Sequence, residues 1–302
     1  MRLVIWIDTE QSWSEVAGTA RHADATGWDG IYVEDHFMPN EQPAGLGPHL
    51  EAWTALGGIA AITERARLGV LVSGNTYRHP AILANMAATT DLISGGRLVL
   101  GLGAGWQVSE HEAYGLELFE PAERLRRLDE ACEVIRLLLT EERSDFEGRY
   151  YHLADAPCEP KPAQAALPLL LGTSGEKVGM KIAARRADIW NCWGTPKTME
   201  HKLEVLDAHC EAVGRDPGTL ERSTQALVLI SEDPAQLASW RAETTYPALI
   251  GTPAEIGAAL ADYQRLGIDE FVVSDTTLGR DVTERREGMD RFLTEVAAPV
   301  VS

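Results

Sequence analysis

Basic residues are scarce in this chain: 27 lysines and arginines stand against 46 aspartates and glutamates, a formal charge of −19 over 302 residues. That balance excludes nucleic acid and anionic membrane surfaces as partners, since both need a basic face. A phosphate-bearing cofactor remains open, because it needs only local donors. Long apolar runs are missing as well. The apolar part of the opening MRLVIWIDTE is too short for a signal peptide or a membrane span, and no later run is long enough. Cys132, Cys158, Cys192 and Cys210 are scattered, with no C-x-x-C pair and no metal spacing. They are expected to be reduced thiols in a cytoplasmic protein. His111-Glu112 opens like a zinc-binding H-E-x-x-H, but Gly115 holds the fifth position, so no metal is expected. Neither a P-loop nor a G-x-S-x-G elbow occurs. Gly101, Gly103 and Gly105 approach the dinucleotide fingerprint, yet Trp106 occupies the place of its last glycine.

What is present is an alternation. With 45% hydrophobic and 24% charged residues the chain can bury a full core, and residues 1–302 are expected to form one domain. Apolar runs without polar alternation mark strands buried on both faces. They fall at Arg2–Ile7, Gly30–Val33, Ala66–Val72, Arg97–Leu102, Leu167–Leu171, Asp188–Cys192, Ser223–Ile230 and Glu270–Val273. Helical periodicity follows each, as at His49–Thr63, Glu176–Arg186 and Thr283–Val296. An open doubly wound sheet alternates in the same way, but eight repeats in this length favour an α/β (β/α)8 TIM barrel. Ser144–Gln164 and Glu243–Thr252 break the beat and are expected to be short insertions.

In a barrel, chemistry sits at the carboxyl ends of the strands. Glu34-Asp35-His36 follows the second strand, Asn75 the third, and Gly103-Ala104-Gly105-Trp106 the fourth, with Ser109, Glu110 and His111 behind. His36 is the candidate for proton chemistry, unless Asp35 or a backbone carbonyl locks it structurally. His79, before Pro80, reads as a helix-entry residue. Gly172-Thr173-Ser174-Gly175-Glu176-Lys177 runs from a strand into a helix, where free N–H groups and the dipole make a phosphate cradle. An ordinary cap by Ser174 accounts for the same residues. The alternate glycines either let the chain bend or admit something flat against bare backbone. Trp106 and Trp193 are core residues or pocket walls for a flat ring.

Together GWDGIYVEDHF, NTYRHPAILANMAATTDLISGGRLVLGLGAGW and GEKVGMKIAARRADIWN resemble the bacterial luciferase-like superfamily, nearest its branch of oxidoreductases dependent on coenzyme F420. The resemblance runs from Arg2 to about Val296. It implies a luciferase-like barrel with a deazaflavin ring across its mouth, hydride transfer with a small organic substrate, and a homodimer. His36 matches the catalytic histidine of the deazaflavin-dependent sugar-phosphate dehydrogenases. A third-strand bulge at about Leu71–Val72, often with a non-proline cis peptide, would back the ring. Gly103, Ala104, Gly105 and Ser109 would lie along the ring or ribityl chain, and Gly172 to Lys177 would hold the phosphate. Trp13, Asn75, Trp106 and Trp193 are the expected substrate walls. Two departures stand out: Trp106 replaces an acidic residue, so the acid partner of the histidine is expected to be missing, and Asn40 replaces a tryptophan. Two alternatives remain. One is an FMN-dependent monooxygenase supplied with reduced flavin by a separate reductase; the other is a non-catalytic flavin-binding barrel.

Overall fold

The computed structural model describes residues 1–39 and 46–300; Asn40 lies outside them. The elements run β1 (Arg2–Ile7), α1 (Trp13–Thr26), β2 (Gly30–Val33), α2 (Ala52–Ile62), β3 (Arg67–Val70), β4 (Ser73–Gly74), α3 (Pro80–Ser94), β5 (Leu98–Gly103), α4 (Val108–Tyr114) and α5 (Pro121–Thr140). They continue with β6 (Ser144–Glu147), β7 (His152–Ala156), β8 (Leu169–Gly172), α6 (Gly179–Arg186), β9 (Ile189–Trp193), α7 (Pro196–Ala212), β10 (Glu221–Gln225), β11 (Leu227–Ile230) and α8 (Pro234–Glu243). β12 (Ala248–Gly251), α9 (Pro253–Arg265), β13 (Glu270–Ser274) and α10 (Val282–Arg291) complete the order. Local chemistry sets many of the boundaries. Ser12 and Glu15 form a capping box at α1, and Gly27 ends that helix at φ 105°. His79 caps α3, its Nδ1 accepting from the Ala81 N–H at 3.2 Å.

All eight wall positions pair in parallel, in the order β3-β2-β1-β13-β10-β9-β8-β5, and β5 pairs back to β3, closing the barrel. Strand alternation sorts the side chains into two layers. Leu3, Ile5 and Ile7 face the helices, while Val4 joins Tyr32, Val99, Leu170, Ile189 and Val272 inside the barrel. Both layers are buried, which is why the strands read as unbroken apolar runs.

The third strand is broken, and the break shapes the mouth. Gly69 pairs with Val99 and Ser73 with Leu102, so four steps on one strand oppose three on the other. That extra residue is a bulge, and a non-proline cis peptide joins Leu71 to Val72 within it. The bulge explains the alternate glycines of β5. A Cβ on Gly101 would lie 1.9 Å from the Val70 carbonyl oxygen, and one on Gly103 would lie 2.7 Å from Val72 Cγ2. Bare backbone there first accommodates the protein's own third strand.

Other boundaries differ from the periodicity. The stretch Ser223–Ile230 is two strands, and its second half leaves the barrel to pair with β12 from the off-beat segment Glu243–Thr252. The other off-beat segment forms the antiparallel hairpin β6-β7. α6 begins at Gly179, after a turn that takes up Glu176 to Val178. Apolar periodicity places a helix but does not mark its first residue. Among the described residues, no helix is long and apolar enough to cross a membrane.

Candidate active site

The carboxyl ends of the strands surround a cavity of about 840 Å³. Of the residues singled out from the sequence, His36, Leu71, Val72, Gly103, Ala104, Gly105, Trp106, Gly172, Thr173, Ser174, Gly175 and Trp193 line it. Five others do not. Trp13 lies over α2, where a Cβ on Gly58 would come within 2.5 Å of its ring. Asn75 turns toward the hairpin, donating from Nδ2 to the Tyr151 hydroxyl at 3.1 Å. Ser109 is buried off the cavity wall, its hydroxyl without a partner among the described residues. Glu176 pairs with Lys202 at 2.6 Å, and Lys177 is exposed. Both belong to the turn before α6 and are not among the cavity-lining residues.

His36 has the acid partner that Trp106 had appeared to displace. Its Nδ1 lies 2.8 Å from Oε1 of Glu110, a fully buried carboxylate on α4, four residues beyond Trp106. Glu110 also accepts the Phe37 N–H at 2.9 Å and the Tyr77 hydroxyl. Burial opposes the charge on Glu110, but these three donors outweigh it and hold the carboxyl below its ordinary value. Burial likewise opposes an imidazolium. The Glu110 hydrogen bond and charge, aided by Glu34 and Asp35, overcome it and raise His36. Trp106 stands edge-on to the imidazole, with centroids 5.4 Å apart. Asp35 does not lock His36; it is held by Arg78 at 2.5 and 3.0 Å.

On the other side of His36 in the sequence, Glu34 behaves oppositely. Burial, with the charge of Asp8, pushes its carboxyl up to about 7, although His36 and hydrogen bonds from Thr9 pull it down. His49, 2% exposed in its side chain, lies 3.8 Å from Glu34 and 3.8 Å from Glu10. Further wall residues carry unused polar atoms. Trp6 Nε1, Gln225 Oε1 and Arg124 Nε are buried with no hydrogen-bond partner among the described residues, and all three side chains line the cavity. Trp193 packs edge-on to Trp6 at 6.2 Å and tilts against Tyr246 at 5.8 Å.

The barrel has known counterparts. The family model described as luciferase-like monooxygenase matches residues 1–246. The chain belongs to that family. Among relatives, it is 36% identical over 226 residues to an F420-dependent glucose-6-phosphate dehydrogenase of Kineococcus radiotolerans, covering 74% of this chain and 66% of that enzyme. The chain thus spans less than two thirds of that relative's length. Among solved structures, an F420-dependent secondary alcohol dehydrogenase in complex with an F420-acetone adduct superposes with a TM-score of 0.84 at 20% identity, covering 98% of this chain and 99% of that one. An EDTA monooxygenase from Chelativorans sp. BNC1 superposes at 0.83 and 15% identity, covering 100% and 95%. At these identities the structures establish the shared fold.

Sequence reasoning passed over Glu110, Tyr77, Glu34 and His49 as site residues. The signal for Glu110 was its place four residues beyond Trp106, on the short helix Val108–Tyr114 that periodicity left as loop.

Proposed function

We propose that this member of the luciferase-like family is an oxidoreductase that holds a deazaflavin, coenzyme F420, and exchanges a hydride with a small organic molecule. The observation that carries the reading is the His36–Glu110 pair on the cavity wall, a proton-holding group kept basic by a buried carboxylate. The F420-dependence named for the dehydrogenase relative supports the choice of cofactor.

The residues present suit such a group. Leu71, Val72, Gly74, Gly103 and Gly105 line one part of the cavity, where a flat ring could lie. Gly172 to Gly175 lead toward Gly179, where a Cβ would fall 2.0 Å from the Thr173 hydroxyl oxygen, so the chain there is drawn in tightly around the cavity edge. With the unpartnered Nε of Arg124, these backbone groups are the candidates to hold an anionic phosphate. Bound there, a deazaflavin supplies the carbon that gives or takes the hydride. His36 gives or takes the accompanying proton, and Glu110 stabilises its charged form. Tyr77 and the Phe37 N–H fix Glu110 in place.

Titration of the protein with oxidised coenzyme F420 and with FMN, followed by fluorescence, tests the cofactor. F420 is expected to bind at least about tenfold more tightly, on the tenfold-per-1.4 kcal/mol scale. Tighter binding of FMN, with oxygen-dependent product, would establish the monooxygenase reading instead. His36→Ala should bind F420 as the wild type does and lose about 100-fold in turnover. Full turnover in that variant would remove His36 from the mechanism.

A further inference from the structure

His49 is a buried imidazole in the cavity wall. Neither ring nitrogen has a hydrogen-bond partner among the described residues, although the side chain is 2% exposed and lines the cavity. The carboxylates of Glu34 and Glu10 stand 3.8 Å from it, beyond hydrogen-bond range. Burial and the nearby charge of His36 lower its pKa, which favours a neutral ring with one donor and one acceptor. A buried polar group left unsatisfied in the wall of a cavity is where a ligand atom belongs.

The charges around it narrow the ligand. Glu10, Glu34 and Asp35 line the same cavity, and Arg78 is committed to Asp35 and Glu51. No lysine lines the cavity among the described residues, and Arg124 directs Nη1 to the Gly105 carbonyl. A phosphorylated or carboxylated molecule brought to His49 would meet the carboxylates of Glu34 and Asp35, and the one arginine lining the cavity among the described residues, Arg124, is the candidate for the cofactor's phosphate. A metal ion does not resolve this either: among the described residues no group of three His, Cys, Asp or Glu side chains could hold one.

We propose that His49 is the substrate-binding residue of this cavity, that it takes a hydroxyl or carbonyl oxygen beside Glu34, and that the substrate is uncharged. This rests on the oxidoreductase reading only in placing substrate and cofactor in one cavity. It departs from the phosphorylated sugar named for the dehydrogenase relative.

The test is equilibrium binding to the full chain of three probes: cyclohexanol, glucose and glucose 6-phosphate. Binding is read by saturation-transfer NMR and by emission of the tryptophans that line the cavity. At least one neutral probe should bind, and glucose 6-phosphate should bind at least about tenfold more weakly than glucose, a factor worth 1.4 kcal/mol. His49→Leu should weaken the neutral probe at least about tenfold, with His49→Gln, which keeps a donor and an acceptor, falling between. F420 titration of both variants should match the wild type. In turnover with a neutral substrate, KM should rise while kcat stays within about threefold. The inference is overturned by preference for the phosphorylated sugar, by absence of binding of both neutral probes, or by unchanged neutral-probe affinity in both variants. Failure of F420 to bind the wild type would remove the cofactor reading while leaving the probe result intact.

Discussion

The two ends of the barrel bury carboxylates in opposite styles. At the amino-terminal end Glu270 is fully buried, accepting from Ser223 at 2.9 Å and from Tyr32 at 3.2 Å, with Arg2 at 3.5 Å and Arg67 at 3.9 Å. Asn191 donates in turn to Ser223 at 2.9 Å, and Glu221 engages both arginines. Those groups satisfy one another. At the mouth, Trp6, His49, Gln225 and Arg124 each keep at least one buried polar atom without a partner among the described residues. Burial raises both carboxylates, Glu270 below and Glu34 at the mouth, the latter to about 7. The cluster around Glu270 completes its hydrogen bonds, whereas several groups in the cavity wall keep polar atoms that a bound molecule could engage.

The comparison breaks most sharply at Glu270. In Glu270→Ala, two guanidiniums and two hydroxyls lose their shared acceptor beneath the barrel. Removing one member of a buried charge cluster costs about 3–5 kcal/mol, and the partial exposure of Arg2 and Arg67 puts the expectation near the lower figure. Urea unfolding measures it, and F420 affinity of the folded variant should not move. A loss below about 1 kcal/mol would mean that water and Glu221 replace the carboxylate, and that this end is no sealed plug.

Glu34 should show the reverse. Its folded carboxyl titrates at about 7 against 4.5 in the unfolded chain, so between those values the folded state holds the extra proton. Stability therefore falls as pH rises through that window. At 1.36 kcal/mol per pKa unit the whole effect is about 3 kcal/mol. Glu34→Gln cannot titrate, so it should equal the wild type near pH 4.5 and exceed it by up to about 3 kcal/mol at pH 8. Parallel pH profiles for the two proteins would show that burial does not hold a proton on Glu34.

The barrel was legible because both faces of its strands are apolar: VIWI and LVLGL carry no alternation to confuse the beat. The extra residue of the third strand was placed at Leu71–Val72 by the resemblance alone, and the structure has the bulge and the cis peptide there. Nothing in LGVLVSGN states that four steps there oppose three on β5, so Gly101 and Gly103 looked like room for a ligand when the nearest occupants are Val70 and Val72. His36 was legible by its place at a strand end. Its partner was not, because Glu110 reaches it across 74 positions from a seven-residue helix with too little period to read. Trp13 misled for the converse reason. An aromatic next to a strand end can turn outward onto a neighbouring helix, and only the glycine at position 58 makes room for it.

The smallest expected effect separates the two carboxylates that flank His36. Glu110→Gln keeps the shape and one acceptor for the imidazole but removes the charge that raises it. His36 should then titrate lower by NMR, and turnover should fall about 100-fold, equivalent to about 2.7 kcal/mol. The stability signature has its own sign. Glu110, lowered in the fold, contributes fully above 4.5 and loses that contribution as pH falls through its folded value. His36, raised in the fold, contributes fully below 6.5 and loses it as pH rises through its folded value. The stability gap between wild type and Glu110→Gln should therefore be widest between about pH 4.5 and 6.5 and narrow on both sides. The gap for Glu34→Gln has the opposite sense, grows between about pH 4.5 and 7 and stays level above. If the two gaps share one shape, the contrast between a carboxylate that anchors His36 and one that awaits a ligand is lost. If they differ as stated, the mouth holds one completed ion pair beside one incomplete site.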